Sequence, residues 1–563
     1  IKKVKTKIKN NFIIQDLGFN FIVDSNLTLI NSIKANYEGF SISNGSINLQ
    51  QKKNLEIKGK FNTQFEIKQN QLKKIFKKIK FFQLNKIETQ GKFLHEFNLK
   101  INNSFKVIDY DYKSSGNIQQ SQIILKDSLK TSFIERPISK ILFDKTKIKI
   151  NFNKENSNLL IFDGMYSTDE SNYKKFKIEN NLSRKNQIYS IDLNLTENIF
   201  FDVINFKTNS KKTSNIKSVL NIRNKKYIFE SIELKEGKNS IFVEGLVLNS
   251  KNEIEKVKNI NLITFNNKKK NNNLKIKFGK KIFVIGDMYD STNLLKLFSK
   301  KNKSTLLKNF NNEVEIKLKN LITESKIPLS NFNLIGVIKK GQFNKISSKS
   351  QFSKNQYLDV TLKKDVNNKK ILEVYSDRPQ ALLTNYKFFE GIKDGKLLYN
   401  SIIDETGSAS KLTIENFKVI RAPAFATLLT LADLGGVADL LSGQGMSFDF
   451  LEINLKDDSK VTTIEEILAL GSSVSLHMQG YIEKKTGLVS LSGTLVPAKT
   501  LNNLVSKIPI VGNILVGSKV GEGVFGVSFK IKGMPGKIKT TVNPVKSITP
   551  RFIIRAIEKI KKN

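Results

Sequence analysis

From its start to about residue 370, this chain alternates apolar and polar residues with a period of two, and that pattern leaves few folds open. Ile148, Ile150 and Phe152 alternate with Lys147, Lys149 and Asn151, and Leu274, Ile276 and Phe278 alternate with Lys275 and Lys277. Val314, Ile316 and Leu318 do the same with Glu315 and Lys317, as do Leu55, Ile57, Gly59 and Phe61 with Glu56, Lys58 and Lys60. Successive side chains of a strand point to opposite faces, so each such strand is greasy on one side and charged on the other. That is the signature of an antiparallel sheet wet on one side. Clusters such as Asn44-Gly45 and Asp163-Gly164 are expected to supply turns.

No fixed repeat length emerges, so a strict solenoid is not indicated. At about 14 residues per strand and turn, the first 370 residues would give roughly 25 strands and a sheet on the order of 120 Å long. An open sheet of that size should curl and turn its apolar face inward. The expected fold is therefore mainly β: an elongated, curled antiparallel sheet forming an apolar trough over residues 1–370, followed by a β-plus-helix cap over 371–563. Leu72, Ile75, Phe76 and Ile79, and later Leu294, Leu295, Leu297 and Phe298, fall at helical spacing and read as helices that plug or cap the sheet.

The cap is punctuated differently, carrying seven of the nine prolines. Asp377 is placed to N-cap a helix through Leu382, Leu383 and Tyr386 that stops near Gly391. Amphipathic helices are predicted at 423–441, 501–516 and 550–562, open to docking on a membrane or partner as well as to core packing. Strands are predicted around Phe448–Leu455, Val474–Met478 and Val489–Pro497, and Phe525, Val527, Phe529 and Ile531 alternate cleanly.

Composition limits the chemistry. The formal charge of +43 raises nucleic acid or an anionic surface as a partner, yet only seven of the 94 basic residues are Arg. Phosphate and base recognition favour the Arg fork, so no nucleic acid is expected, and solvated strand faces in a Lys/Asn/Ile-rich composition account for much of the charge. There is no cysteine for disulfides or thiolate metal sites. His95 and His477 lie far apart in sequence, and Asp457-Asp458 and Glu465-Glu466 read as solvated turns and helix starts. Gly521, Gly523 and Gly526 spell GxGxxG, but a strand rather than a helix is expected to follow, which rules out a dinucleotide fingerprint. Neither a catalytic constellation, a metal site nor a cofactor motif is indicated. No internal stretch qualifies as a membrane span, since Ala422 to Leu441 contains Asp433 and Asp439 and is broken by Gly435-Gly436.

The segment from about Tyr375 to Ile557 resembles the C-terminal region of the AsmA-like family, in particular its YhdP-type members. The resemblance is carried by Asp377 to Leu383 with Gly391 and Gly395, then Asn416-Phe417, Ala422-Pro423, Leu428 to Gly436 and Leu441-Ser442-Gly443 through Phe448. It continues through Gly493-Thr494-Leu495-Val496-Pro497, Asn502, Ile508-Pro509, Gly512, Gly521 to Gly526, Gly533, Val542-Asn543-Pro544 and Pro550 to Arg555. About a third of the chain is covered. The resemblance implies a non-enzymatic protein of the bacterial cell envelope, anchored in the inner membrane upstream of Ile1, with a periplasmic body. It is similar to bridge-like lipid-transfer proteins, which implies phospholipid transport through a β-sheet groove and an envelope or outer-membrane protein as a partner at the C-terminal end. The alternative is a scaffold for outer-membrane protein assembly. Groove lining would then come from Ile148, Ile150, Phe152, Leu274, Ile276, Phe278, Val314, Ile316 and Leu318, and from Phe525, Val527 and Phe529, whose packing beneath the cap helices is an equal alternative.

Overall fold

The computed structural model describes residues 3–5, 13–37, 39–68, 84–131, 133–155, 158–182, 187–209, 211–294, 311–325, 327–383, 391–420, 430, 445–497, 524–535 and 537–548. The chain divides into two compact units, one of Ile1–Phe278 with Asn293–Asn309 and one of Gly279–Thr292 with Phe310–Asn563. Both are mainly β.

In unit 1 the strands form a meander from Lys3–Lys5 to Lys269–Lys277, each antiparallel to its neighbour. One excursion leaves it between Gln187–Asn194 and Asn215–Arg223. There, the short strands Phe200–Phe201 and Phe206–Lys207 pair around a 3-10 turn, Asp202–Ile204.

Unit 2 departs from the expected all-antiparallel plan at once. Lys281–Asp290 and Glu313–Ile322 run parallel, with Val284 beside Ile316 and Gly286 beside Leu318. A tight hairpin cannot join parallel strands, and residues 291–312 separate these two in sequence. From Glu313–Ile322 onward every described neighbour is antiparallel, ending at Lys539–Ile548. Among the described residues, neither unit pairs its first strand with its last, so neither closes into a barrel.

Hairpins are made where two adjacent residues accept positive φ, at Asn224-Lys225, Asn267-Lys268 and Lys340-Gly341. Such turns match the twist of the strands they join. The basic run at 268–270 is thus part turn and part strand, since Lys269–Lys277 begins within it.

Several expectations need correction. Asn44-Gly45 is no turn: it lies inside Phe40–Gln51, where Asn44 takes φ +50° and pairing skips from Ser43 to Ser46. The same left-handed tolerance that suits Asn to turns suits it to bulges. Asp163-Gly164 is also mid-strand, in Asn158–Ser167, with Gly164 pressed against the Thr146 side chain. Glu465-Glu466 lies in the strand Val461–Gly471 rather than at a helix start. Asp377 does not cap the helix Pro379–Leu383; its carboxylate accepts Tyr357 N–H (2.8 Å) and Tyr375 O–H (2.6 Å), tying the chain to the sheet. The helices expected at 72–79, 423–441, 501–516 and 550–562 lie outside the described residues except Thr430, and of the one near 294–298 only Leu294 is described.

One packing device recurs. Gly59 opposes Phe97, Gly91 opposes Phe65, Gly116 opposes Phe93 and Gly493 opposes Phe529 across strand pairs. In each pair the ring lies over the glycine, where a Cβ would collide with it; at Gly91 it would sit 2.9 Å from Phe65 Cζ. The rings therefore recline on the sheet instead of standing off it. Replacing Gly116 with Val should cost about 1–3 kcal/mol by overpacking, because the Phe93 ring and the Lys92 carbonyl both crowd the position. Gly18→Ala, with nothing within 4 Å, should stay within about 0.5 kcal/mol. Thermal or urea melts that fail to separate these variants would refute the reclining-ring packing.

Candidate functional site

Directly paired residues of adjacent strands share a face, so the strand registers trace the chemistry of each face across the sheet. In unit 1, one row runs Thr63, Phe93, Gly116, Ile148, Phe162, Ile178, Ile191, Ser218, Ile232, Val243, Ile260, Ile276. A neighbouring row on the same face runs Phe176, Leu193, Ile216, Leu234, Ile241, Leu262, Leu274. Neither row contains a charge.

The opposite face reads Lys92, Asn117, Lys147, Asp163, Lys177, Asp192, Lys217, Glu233 over the same strands. Charges there pair along and across strands: Lys177–Glu179 at 2.6 Å, Lys217–Asp192 at 3.2 Å and Lys235–Glu233 at 2.7 Å. Hydrogen bonding to Glu179 raises the Lys177 pKa. In unit 2, Lys281 and Lys317 flank Glu315 at 2.6 and 2.7 Å and hold its pKa down near 2.

The predicted lining residues fall as follows. Ile148, Leu274, Val314 and Leu318 are buried; Ile150, Phe152, Ile276, Phe278 and Ile316 are half-buried. Registers bring Ile148, Ile150, Phe152, Leu274 and Ile276 onto one face of unit 1. Ile316 heads a row in unit 2 through Leu334, Ser348, Val360, Val374, Tyr399, Leu412, Ile453, Ile467, Met478, Gly493 and Phe529. Phe529 (3% exposed) belongs with Leu397, Ile414 and Leu495 to one buried apolar cluster in that unit, and Val527 (1%) is buried opposite Leu495. Phe525 lies in the strand Val524–Gly533, its side chain outside the described residues.

Burial separates the units. Among the described residues, the fully buried large apolar side chains, such as Ile414, Met446, Val474 and Leu495, all belong to unit 2. There, Phe450, Leu468 and Leu470 also cluster on the opposite face. In unit 1 the middle of the first row, from Phe162 to Ile191, is only half-buried.

A polar group missed by the sequence reading sits within the unit 1 face. His95 Nε2 lies 2.7 Å from Thr63 Oγ1, and His95 Nδ1 lies 2.8 Å from Tyr112 Oη. The imidazole stacks on Phe61 (4.6 Å between centroids) and faces Phe93 and Tyr112 at 6.1 Å each. Tyr112 in turn stacks on Phe152 at 6.4 Å. Burial lowers the His95 pKa and raises that of Tyr112, keeping both neutral near pH 7. The signal was present: Phe93, His95 and Phe97 are spaced by two and share a face. Two strands beyond Ile150 in the same row, Asn180 is 2% exposed, and neither its amide nitrogen nor its oxygen has a partner among the described residues. His477, in unit 2, sits between Leu468 and Thr494 with Nε2 3.3 Å from Glu466 Oε1.

At its far strands the face is covered. Asn272 donates to the Ile204 carbonyl (2.7 Å) and Thr264 Oγ1 (2.8 Å), pinning the 3-10 turn of the excursion against it. A recess of about 530 Å³ lies beside that turn, lined in part by Glu135, Phe200, Asp202 and Lys207. Among the described residues, no three His, Cys, Asp or Glu side chains group as a metal site, and no helix is long and apolar enough to cross a membrane. No protein-family model and no curated protein sequence matches the chain.

Two measurements test this face. Ile148→Ala should cost about 2–5 kcal/mol, whereas Lys147→Gln on the other face should stay within about 0.5 kcal/mol. Equal losses would mean that the registers are misassigned. Because the folded-state pKa of His95 lies below its ordinary 6.5, the unfolded chain takes the proton first as pH falls. Its contribution is complete above about pH 6.5 and is lost as pH drops through the folded-state value. Melts at about pH 7.5 and about pH 5 should therefore show a smaller acid loss for His95→Phe than for the parent chain, and parallel losses would contradict the assignment.

Proposed function

We propose that this chain is a non-enzymatic envelope protein of the AsmA-like type that binds phospholipid acyl chains along its apolar sheet face and conducts them between inner and outer membranes. The observation that carries the reading is the uncharged row from Phe93 to Ile276 in unit 1, half-buried through its middle strands while the reverse face carries paired charges. A row confined to a closed core would be buried throughout.

The energetics favour such a face as a lipid path. Moving one acyl chain of about 16 carbons into water costs on the order of 13 kcal/mol, at about 0.8 per methylene. A continuous apolar surface removes most of that barrier at every step, while the headgroup stays in water. The lysines of the reverse face keep the sheet soluble and tolerate anionic headgroups nearby without selecting them. The stacked and reclining rings give acyl chains a low, smooth floor. On this reading the inner-membrane anchor lies upstream, the body is periplasmic, and the C-terminal end meets an envelope or outer-membrane partner.

Photo-crosslinking tests it. Crosslinkers at Ile150, Ile276 and Ile316 should capture phospholipid identified by mass spectrometry, and those at the exposed Lys149, Lys277 and Lys317 should not. Absence of lipid, or equal labelling of both sets, would sink the conduit and favour the assembly scaffold.

A further inference from the structure

We propose that Thr63, His95 and Tyr112 form a hydrogen-bonding station for the acyl carbonyl of a lipid lying on the apolar face of unit 1. This rests on the reading of that face as lipid-binding. A count of protons carries the argument. Neutral imidazole has one N–H, and the threonine and tyrosine hydroxyls have one O–H each. The two bonds that join them, at 2.7 and 2.8 Å, consume two of these three donors. One O–H is left, at Thr63 if His95 carries its proton on Nε2, or at Tyr112 if it carries it on Nδ1. Ser114, directly opposite His95 in the next strand, is a buried hydroxyl with no partner among the described residues, so it adds a second unmet donor at the same spot.

The surroundings define what can take that proton. Phe61, Phe93, Phe97 and Phe152 flank the group, and the rows through it contain no cation. A phosphate or other dianion therefore finds no counter-charge. A purely hydrocarbon ligand leaves the donor unmet, at about 1–3 kcal/mol. An acyl carbonyl fits both demands, since it accepts one hydrogen bond and is attached to an apolar chain. Asn180 repeats the logic in the row that contains His95, as a buried amide with no partner among the described residues. Its strand lies four spacings from that of His95, about 19 Å across the sheet.

The test uses the full chain and three probes with one fluorophore: diphenylhexatriene, its propionic acid derivative, and the methyl ester of that acid. The parent protein should bind both carbonyl probes about three- to tenfold tighter than the hydrocarbon, the range expected of one hydrogen bond. Removing every donor, with Thr63→Val, His95→Phe, Tyr112→Phe and Ser114→Ala combined, should erase that preference and leave hydrocarbon affinity unchanged. If that variant melts early, His95→Phe alone gives a second readout: it frees both the Thr63 and the Tyr112 hydroxyl protons, so the carbonyl preference should rise. A preference that survives the loss of all the donors, or that falls in His95→Phe, overturns the station, as does equal binding of all three probes by the parent. A preference for the acid alone also overturns it, because charge would then be selecting. Which of the two favoured carbonyl probes binds tighter separates a free fatty acid from an ester lipid as the natural source. Failure of the parent to bind any probe overturns the lipid-binding reading itself, a result distinct from the loss of preference.

Discussion

Everything in this molecule depends on the backbone ladder holding one register from strand to strand. A strand fixes only which residues share a side; the pairing of Gly116 with Ile148, Ile148 with Phe162 and Phe162 with Ile178 turns those local alternations into a surface. A slip of one residue at any of these would put Lys147 or Lys177 into the apolar row. The penalty for burying such a charge is far larger than the gain from any one pair, so the pattern protects itself. Bulges at Ser43/Ser46 and Asp144/Lys147 absorb irregularities without reversing the faces on either side.

The faces then acquire different textures from small sequence choices. Glycines opposite phenylalanines lower the rings onto the sheet, and the Phe93–His95–Phe97 alternation threads one neutral imidazole among them. A lone polar group in that setting would be destabilising. Thr63 and Tyr112 meet both ring nitrogens of His95, so the cost falls on one remaining hydroxyl proton. Asn180 is another buried polar group on that face, with no partner among the described residues.

Much of this was legible in the sequence, for a definite reason. Strand alternation needs only nearest neighbours, and Ile148 to Phe152, Leu274 to Ile276 and Val314 to Leu318 were all placed on strands as read. About one strand per 14 residues also matches what is observed before residue 370. The failures came where one local preference serves two structures. Positive φ at Asn44 makes a bulge as readily as a turn, and Gly164 relieves a side-chain contact instead of reversing the chain. The acids Glu465 and Glu466 resemble a helix start until the flanking Ile464 and Ile467 are paired across strands. Parallel pairing of Lys281–Asp290 with Glu313–Ile322 is invisible to alternation, which is identical in both directions. The Thr63–His95–Tyr112 group was half-legible: the face of His95 could be read, but its partners are 32 and 17 residues away and meet it only through register.

The contrast between the units carries the last step. Near the C-terminus, strands such as Met446–Asp458 and Val474–Glu483 bury apolar side chains on one face, and Phe450, Leu468 and Ser475 are buried on the other. Strands packed on both faces are stable without a ligand, because dispersion contacts on each side replace water. In the middle of unit 1, apolar residues such as Phe162, Ile178 and Ile191 keep partial exposure, and the energy of covering them has not been spent internally. Exposed apolar area of this kind invites sheet-to-sheet association. The reverse face answers that risk with a net excess of lysine, since like charge disfavours the stacking of copies. The strands of the other unit, by contrast, bury apolar side chains on both faces. On the proposed lipid-binding reading, the half-covered face of unit 1 with its reclining rings is where an acyl chain would lie.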